Sequence, residues 1–369
     1  MRVLMTGGGT AGHVNPALAI ANTIKENEPD SEIAFVGTSR GIENKLVPKA
    51  GYELFHVEVM GLSRKLTLRN LKAAYLALTS PGKAKKIIKK FKPDIVIGTG
   101  GYVSWPVVKA AAQMGIPTAL HESNAVPGMA VRMLSGAVDR IYLNFEAAGA
   151  GISQKDKLLL CGCPLLTPPK NITKEQARKE LGIANDAVYV LSYGGSLGAE
   201  KVNEAVLEVM KKVTGGKENV IHTHATGAIE KEICFGAFKH AGLDKYENLQ
   251  LLEYIYDMPT RLAAADVVIC RAGAMTVSEL SMAGKCAVFI PSPNVTDDQQ
   301  FKNASVLSAK DAAYVLRENA EMPAKLCETV EELIASPEKR RDVESRIKEF
   351  AKADANKTIY NDILKLIKK

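Results

Sequence analysis

The chain has 369 residues, of which 46% are hydrophobic and 24% are charged, with a net charge of +7 and a mean hydropathy of −0.04. This length predicts two domains, and the composition excludes the disordered and fibrous classes of protein. No apolar run approaches the roughly 20 residues that a membrane-spanning helix requires, so no such helix is predicted.

Short apolar strands alternate with helical stretches through the first half, which predicts a parallel sheet built from strand–helix–strand units. The predicted strands are 2–5, 32–36, 54–59, 94–97, 118–121, 140–143 and 158–161. The first strand runs into the glycine-rich loop 7–13, whose N–H groups and following helix favour an anion. A dinucleotide-binding domain would carry an acid at the end of the second strand, but that strand ends in Val36, Gly37 and Thr38, which disfavours NAD.

Polar side chains follow several of these strands. His13 begins the helix after the glycine loop, where an imidazole can act as a general base on a hydroxyl; a histidine that only packs locally is the alternative. The turn 98–103 follows another strand, and residues 121–124 place imidazole, carboxylate and amide groups after the next. Because doubly wound sheets bind ligands beyond the carboxyl ends of their strands, these loops predict one wall of a cleft between two domains.

The segment 61–92 has ten basic residues and no acidic one, interleaved with leucines and a tyrosine. This mixture is typical of a surface that enters an anionic bilayer, and a solvated helix face is the alternative. The residues predicted to contact the membrane are Arg64, Lys65, Leu68, Arg69, Leu71, Lys72, Tyr75, Leu76, Lys85, Lys86, Lys89 and Lys90. Nucleic acid is disfavoured as a partner because aromatic stacking residues are sparse.

Pro164 and the stretch 167–169 mark a linker, after which the alternation resumes. The predicted strands of the second half are 187–192, 219–224, 249–252, 266–270, 287–291 and 313–316. A second glycine loop, 192–199, follows the first of these strands and again leads into a helix. Two anion-binding loops, one in each half, predict two similar domains that face each other across a cleft.

Two further loops of the second half suit a nucleotide sugar. Segment 271–280 is rich in small residues, and Glu279 within it can accept two hydrogen bonds from a ribose diol. Segment 291–300 is dense in amides and carboxylates, which suit sugar hydroxyls, and simple loop polarity is the alternative. There is no Asp-x-Asp pair and no cluster of residues at metal-ligand spacing, so no bound metal is expected.

In this order, the motifs resemble those of the MurG family, the UDP-N-acetylglucosamine transferases of bacterial peptidoglycan synthesis. The resemblance covers nearly the whole chain and rests on the first glycine loop through His13 and on residues 100–104, 121–124, 194–196, 271–279, 298–300 and 303–304. It implies the α/β fold named GT-B, with two Rossmann-like doubly wound parallel-sheet domains and an interdomain cleft. The implied domains are 1–163 for the acceptor and membrane and 164–344 for the UDP-sugar, with a helix at about 345–369 returning to the first.

The resemblance also implies a reaction, which is inverting transfer of N-acetylglucosamine from UDP-N-acetylglucosamine to the C4 hydroxyl of lipid I. Lipid I is a polyprenyl-diphosphate-linked acceptor at the cytoplasmic face of the bacterial membrane, and no cofactor is implied. His13 is the first choice for the catalytic base and Glu122 the second. The implied donor-binding residues are Thr10, Gly12, Asn124, Ser196, Ile255, Ala274, Met275, Thr276, Glu279, Gln299 and Gln300. The implied acceptor-binding residues are Gly8, Gly9, Thr10, Gly100, Gly101, Tyr102 and Asn124.

Three positions depart from the family pattern: Leu166 replaces a usual arginine, Leu197 a frequent glutamine and Trp105 a common glycine. A UDP-N-acetylglucosamine 2-epimerase is one alternative, although it has no need for the basic segment 61–92. A non-catalytic UDP-sugar-binding protein is another, and Leu166 and Leu197 are its best support.

Overall fold

The computed structural model describes residues 1–61, 68–167, 172–352 and 354–368. The predicted membrane residues Arg64 and Lys65 lie outside these ranges, as do the linker residues Pro168 and Pro169 and the side chains of Leu68, Arg69 and Lys72. The chain divides into two compact units, one formed by residues 1–166 with 352–369 and the other by residues 167–351.

The first unit contains a seven-stranded parallel sheet in the order β3-β2-β1-β4-β5-β6-β7. Its strands are β1 (Arg2–Gly7), β2 (Glu32–Gly37), β3 (Glu53–His56), β4 (Ile95–Gly100), β5 (Thr118–Glu122), β6 (Arg140–Leu143) and β7 (Leu158–Leu160). The helices between them are α1 (Ala11–Asn27), α2 (Glu43–Lys49), α3 (Leu68–Phe91), α4 (Ser104–Gln113) and α5 (Met129–Leu134). All seven strands predicted from the first half are present.

Helices on both faces bury the centre of this sheet. Successive side chains of a strand point to opposite faces, so Val3 and Met5 of β1 pack in one core cluster with Val14 of α1. Leu4 packs in the other cluster with Val107 of α4. Burial on both faces explains why β1 is a continuous apolar run rather than an alternating one.

The second unit repeats this plan with a six-stranded parallel sheet in the order β10-β9-β8-β11-β12-β13. Its strands are β8 (Val188–Tyr193), β9 (Val220–Ala225), β10 (Leu249–Leu252), β11 (Val267–Cys270), β12 (Cys286–Phe289) and β13 (Tyr314–Val315). Its helices are α6 (Lys174–Leu181), α7 (Glu200–Val209), α8 (Lys231–His240), α9 (Met258–Ala264), α10 (Ala274–Ala283), α11 (Gln299–Ser308), α12 (Met322–Ala335) and α13 (Pro337–Lys348). A π-helical turn, Met210–Thr214, continues α7. The prediction of two doubly wound parallel sheets is confirmed.

The C-terminal helix α14 (Ala355–Ile367) belongs to the first unit. Its Asp362 accepts hydrogen bonds from Arg140 (2.8 Å) and from the Tyr142 hydroxyl (3.2 Å). The Asn356 side chain bonds both the N–H and the carbonyl of Leu165 (3.1 and 3.2 Å), which ties the end of the first segment to this unit. The division therefore falls after Leu166 rather than after residue 163, and the returning segment begins at Lys352 rather than near 345.

Candidate active site

The predicted site residues follow the carboxyl ends of strands. The strand order reverses between β1 and β4 in the first unit and between β8 and β11 in the second. Such switch points are where doubly wound sheets bind ligands. The loops after β1, β4 and β5 hold the predicted acceptor residues, together with Thr10, Gly12 and Asn124 of the donor set. The other predicted donor residues follow β8, β10, β11 and β12, so each group lies at one edge of its own sheet.

The first glycine loop lies against the turn that follows β4. The Gly8 N–H donates to the Gly100 carbonyl (3.3 Å), and a Cβ on Gly101 would collide with the Gly8 carbonyl oxygen. Gly100 and Gly101 have φ angles of 116° and 81°, which glycine adopts without strain. Gly8, Gly9, Gly100 and Gly101 form a surface of backbone without side chains beside Tyr102, whose own side chain is exposed.

Glu43 of α2 holds this loop and was not among the predicted site residues. Its buried carboxylate accepts hydrogen bonds from the Gly9 N–H (2.9 Å) and from the N–H and hydroxyl of Thr38 (2.8 and 2.7 Å). Burial raises the pKa of Glu43, but the hydrogen bonds outweigh it and hold the pKa below its ordinary value. Because Glu43 takes the Gly9 N–H, an anion at this loop would meet the N–H groups of Ala11 and Gly12, which have no intrahelical partner.

A sequence signal for Glu43 was present. In a dinucleotide-binding fold, an acid stands at the end of the second strand. Here that position holds Gly37 and Thr38. The acid follows a few residues later, in the first turn of α2, and bonds back to Thr38. Its hydrogen bonds join the glycine loop to the end of β2.

His13 lies in the first turn of α1. Its Nδ1 is 3.1 Å from the Gly8 carbonyl and 3.2 Å from the Thr10 hydroxyl. A carbonyl can only accept, so Nδ1 carries the proton and Nε2 keeps a free lone pair. Burial lowers the pKa of His13 below its ordinary value, against the opposing effects of the Gly8 carbonyl and the Glu43 charge. The imidazole is therefore neutral at pH 7, and Nε2 is able to accept a proton.

Glu122, the second candidate base, ends β5 in a buried position. One carboxylate oxygen accepts from the N–H and the side-chain amide of Asn124 (2.9 and 3.2 Å), and the other from the Gly128 N–H (2.7 Å). Burial raises the pKa of Glu122, against these hydrogen bonds and the charge of Arg132. Both oxygens are engaged in shaping the loop after β5, so the geometry favours His13 as the base.

In the second unit, the second glycine loop is paired with the turn that follows β9. The Ala228 N–H donates to the Ser196 carbonyl (3.2 Å), and the Ile229 N–H donates to the Leu197 carbonyl (3.1 Å). Gly198, at φ 93°, packs so closely on the Thr226 carbonyl that a Cβ would collide with the oxygen. The loop is thus supported by a neighbouring turn and leads into the first turn of α7, whose N–H groups can receive a phosphate.

A depression of about 460 Å³ opens beside this loop. It is lined by Gly194, Gly198, Ala199, Glu200, Lys201, Arg271, Ser292, Asn294, Gln300 and Glu318. Gln300 is a predicted donor residue, and its Oε1 accepts from the Ser292 N–H (2.9 Å). The cations Lys201 and Arg271 were not among the predicted site residues. Both are paired with carboxylates: Arg271 lies 2.6 Å from Glu318, and Lys201 lies 2.7 Å from Glu204 and 3.4 Å from Glu200.

Glu279 lies one turn into α10, after Ala274, Met275 and Thr276. Its side chain is partly buried, and among the described residues no hydrogen bond or charge offsets the effect of that burial on its pKa. Burial raises the pKa of Glu279 to about 7. A partly buried carboxyl of this kind can accept hydrogen bonds from a pair of ligand hydroxyls.

Ile255 lies after β10 between Tyr254 and Tyr256, which are 47% and 90% exposed. The Ile255 side chain is itself buried, so a base at this loop would meet its backbone. Gln299 is the first residue of α11 and follows Asp298, which has a φ of 53°. Within the ranges described above, no three His, Cys, Asp or Glu side chains converge on a metal position.

The predicted membrane segment contains an exposed apolar stripe on α3. Leu71, Tyr75 and Leu78, spaced by four and three residues, are 70%, 65% and 83% exposed. Lys85, Lys86, Lys89 and Lys90 follow in the second half of the helix, and the last three are exposed. The prediction that Leu76 contacts a membrane is wrong, because Leu76 lies roughly 200° around the helix from Leu78 and is buried. No helix in the described part of the chain is long and apolar enough to cross a membrane.

Comparison with known proteins identifies the family. Residues 3–143 match the glycosyltransferase family 28 N-terminal domain, and residues 189–359 match the C-terminal domain of the same family. The chain belongs to glycosyltransferase family 28. A relative from Acetivibrio thermocellus is 41% identical over 100% of this chain and 99% of its own length. That relative is named UDP-N-acetylglucosamine--N-acetylmuramyl-(pentapeptide) pyrophosphoryl-undecaprenol N-acetylglucosamine transferase, and a 39% identical relative from Thermoanaerobacter sp. has the same name.

Solved structures agree with this assignment. The MurG of Acinetobacter baumannii superposes with a TM-score of 0.80 at 28% identity, and the match covers 99% of each chain. The resemblance to the MurG family is therefore confirmed. A putative UDP-N-acetylglucosamine 2-epimerase from Listeria monocytogenes superposes with a TM-score of 0.70 at 13% identity, covering 98% of this chain and 95% of its own. At that identity, family 28 and the epimerase share the fold alone.

Proposed function

We propose that this chain transfers N-acetylglucosamine from UDP-N-acetylglucosamine to the C4 hydroxyl of the N-acetylmuramyl sugar of lipid I, with inversion, to give lipid II. The observation that carries this conclusion is the match of the whole chain, at 41% identity, to a transferase of that name. The two switch-point sites supply the chemistry. An inverting transfer needs a base for the acceptor hydroxyl and charge stabilisation for the departing UDP.

On the acceptor side, the first glycine loop binds the diphosphate of the polyprenyl-linked acceptor. The N–H groups of Ala11 and Gly12 meet the phosphate, since Glu43 already engages the Gly9 N–H. His13 Nε2 accepts the proton of the C4 hydroxyl as its oxygen attacks C1 of the donor sugar. The neutral state and the fixed tautomer of His13 support this role. Glu122 shapes the neighbouring loop.

On the donor side, the bond between C1 and the UDP oxygen breaks, and negative charge develops on the diphosphate. The N–H groups in the first turn of α7, beside Ser196, stabilise that charge. Glu279 accepts hydrogen bonds from the two ribose hydroxyls. Gln299 and Gln300 bind the sugar. The remaining donor assignments are the Ile255 backbone for the base, the small residues Ala274, Met275 and Thr276 around the nucleotide, and Thr10, Gly12 and Asn124 of the first unit.

We further propose that α3 attaches the enzyme to the cytoplasmic face of the bacterial membrane, where its acceptor is anchored. Leu71, Tyr75 and Leu78 enter the bilayer, and Lys86 and Lys89 meet anionic lipid headgroups. Their exposure along one helix supports this assignment. Apolar insertion combined with a basic surface gives the two signals that stable, reversible membrane attachment requires.

Transfer of radiolabelled N-acetylglucosamine from UDP to a short-chain lipid I analogue, in EDTA, tests the proposal. Label in a disaccharide-lipid product is expected, and transfer in EDTA would also agree with a reaction that needs no divalent metal. UDP-N-acetylmannosamine as the product would indicate an epimerase instead. Tight UDP binding without any product would indicate a binding protein. Leu166 and Leu197, which stand where the family usually has arginine and often has glutamine, would then help to explain the missing activity.

A further inference from the structure

A continuous chain of hydrogen bonds crosses the interior of the second unit. Its five side chains are all buried, and none has been assigned a role above: Thr214, His222, Ser192, His224 and Asn203. The successive distances are 3.1, 2.9, 2.9 and 3.1 Å. Ser192, His222 and His224 lie on β8 and β9, while Asn203 and Thr214 lie towards the two ends of α7 and its π-helical turn. The chain therefore runs between the sheet and the helix that follows the second glycine loop.

The Asn203 amide at the end of this chain of hydrogen bonds indicates the direction of its bonds. The Asn203 side-chain NH₂ donates to the Thr226 carbonyl (3.0 Å), which leaves Asn203 Oδ1 to accept from His224 Nε2. Neutral His224 then accepts at Nδ1 from the Ser192 hydroxyl (2.9 Å), which is closer to that nitrogen than the Ser192 carbonyl oxygen is (3.2 Å). The Ser192 oxygen in turn accepts from His222 Nε2.

The other end of the chain follows the same rule. His222 Nε2 carries the proton, so Nδ1 accepts from the Thr214 hydroxyl. Burial lowers the pKa of His222 to about 3 and that of His224 to about 4, so both rings are neutral at pH 7. All donors of the chain point the same way, from Thr214 towards the Thr226 carbonyl.

The Thr226 carbonyl is the point at which this chain meets the second glycine loop. It packs against Gly198 so closely that only glycine fits there. The residues that follow Thr226 support the loop, because the Ala228 N–H donates to the Ser196 carbonyl and the Ile229 N–H donates to the Leu197 carbonyl. A change in the position of Asn203 would therefore be transmitted to Ser196 through one short turn.

We propose that the chain from Thr214 to Asn203 is a positioning device that fixes the second glycine loop in the arrangement that receives the donor diphosphate. The identity of the ligand in this inference rests on the proposed function. The existence and the direction of the hydrogen-bond chain do not. Ser192, His224 and Asn203 are thus positioning residues that act on the donor through Thr226 and Ser196.

The tautomers of the two histidines test the chain in the wild-type protein. Long-range ¹H–¹⁵N correlation spectra of ¹⁵N-histidine-labelled full chain, at pH 7, distinguish Nε2–H from Nδ1–H rings. Both His222 and His224 are expected as neutral Nε2–H tautomers. An Nδ1–H tautomer of His224 would reverse its bond to Asn203 and overturn the proposal.

Binding of UDP, measured by calorimetry, tests the effect on the loop. Ser192→Ala and Asn203→Ala each leave a buried partner unsatisfied and are expected to raise the UDP Kd roughly tenfold. In turnover assays, the KM for UDP-N-acetylglucosamine should rise more than kcat falls. Thr223→Val is the matched control, because it removes a buried hydroxyl from β9 that bonds Gln250 and Arg261 and none of the five side chains. Its UDP Kd is expected to stay within twofold of the wild-type value, as for independent sites.

The outcomes separate this inference from the proposed function. Folded Ser192→Ala and Asn203→Ala proteins with the wild-type UDP Kd would show that the chain only stabilises the unit, which overturns the positioning role. A Kd increase in Thr223→Val equal to theirs would do the same. A wild-type protein that binds no UDP would contradict the proposed function instead. The tautomer measurement would still decide whether the directed chain of hydrogen bonds exists.

Discussion

Replacing Glu279 by glutamine should stabilise the second unit and weaken its binding of UDP. The Glu279 side chain is partly buried in α10 with no donor from the described residues, so ionising its carboxyl in the free protein is unfavourable. Glutamine has nearly the same shape and carries no charge at any pH. It keeps one neutral acceptor for a ribose hydroxyl but loses the carboxylate, and hydrogen bonds to charged groups are the stronger ones.

The size of the stability change follows from the pKa of Glu279, which burial raises from 4.5 to about 7. One pKa unit corresponds to 1.36 kcal/mol, so holding the bare carboxylate in the folded chain at pH 8 costs about 3 kcal/mol. The folded chain loses about 3 kcal/mol of stability as the pH rises from about 4.5, where Glu279 ionises in the unfolded chain, to about 7, where it ionises in the folded chain. The glutamine variant should therefore gain about 2–3 kcal/mol at pH 8 and less than about 1 kcal/mol at pH 5.

Hydrogen exchange of the β8 and β11 amides measures the free energy of opening of the second unit, and calorimetry measures UDP binding. At pH 8 the UDP Kd of Glu279→Gln should rise about tenfold, the difference between charged and neutral hydrogen bonds. Glu328→Gln is the matched control, because it makes the same charge change at an exposed helical position. It should alter stability by less than about 0.5 kcal/mol. A stability gain that is equal at pH 5 and pH 8, or an unchanged UDP Kd, would refute this reasoning.

Three other substitutions test the remaining assignments. His13→Ala should lower kcat roughly 10²- to 10⁴-fold with the UDP Kd unchanged, because it removes the general base; a wild-type kcat in initial-rate assays would exclude His13 from that role. Glu43→Gln should raise the acceptor KM with little effect on UDP binding, since Glu43 holds the Gly9 loop; equal changes in both constants would contradict this. Lys86→Glu combined with Lys89→Glu should weaken sedimentation with anionic vesicles at least about tenfold, at about 1 kcal/mol for each lysine. Undiminished vesicle binding would place the membrane contact elsewhere.

The strands and the two switch-point edges were predictable from the sequence for a simple reason. Short apolar runs such as 2–5 and 188–193, each followed by a glycine loop and a helical stretch, fit few structures other than strand–helix units. Once the sheets are parallel, the loops after their strands must lie at one edge of each. The positions of His13 and Glu279 at those edges followed from that rule, whereas their contacts with substrate remain predictions.

Other features depend on tertiary packing that no local pattern contains. Leucines occupy both the buried and the exposed faces of α3, so the sequence alone did not show that Leu76 faces inward and Leu78 outward. The role of Glu43 depends on how α2 approaches the loop after β1. The boundary after Leu166 depends on Asn356, nearly two hundred residues later in the chain. Contacts between residues so distant in sequence are the part of the fold that periodicity and spacing do not encode.

The most direct test of the central claim is the structure of the product made by the full-length protein. The chain would be incubated with ¹³C-labelled UDP-N-acetylglucosamine and a soluble lipid I analogue, and the product analysed by NMR. A β-linked disaccharide joined through the C4 oxygen of the N-acetylmuramyl sugar is the predicted result, since inversion at C1 converts the α-linked donor into a β-glycoside. An α-linked disaccharide, an epimerised nucleotide sugar or unchanged donor would contradict the account.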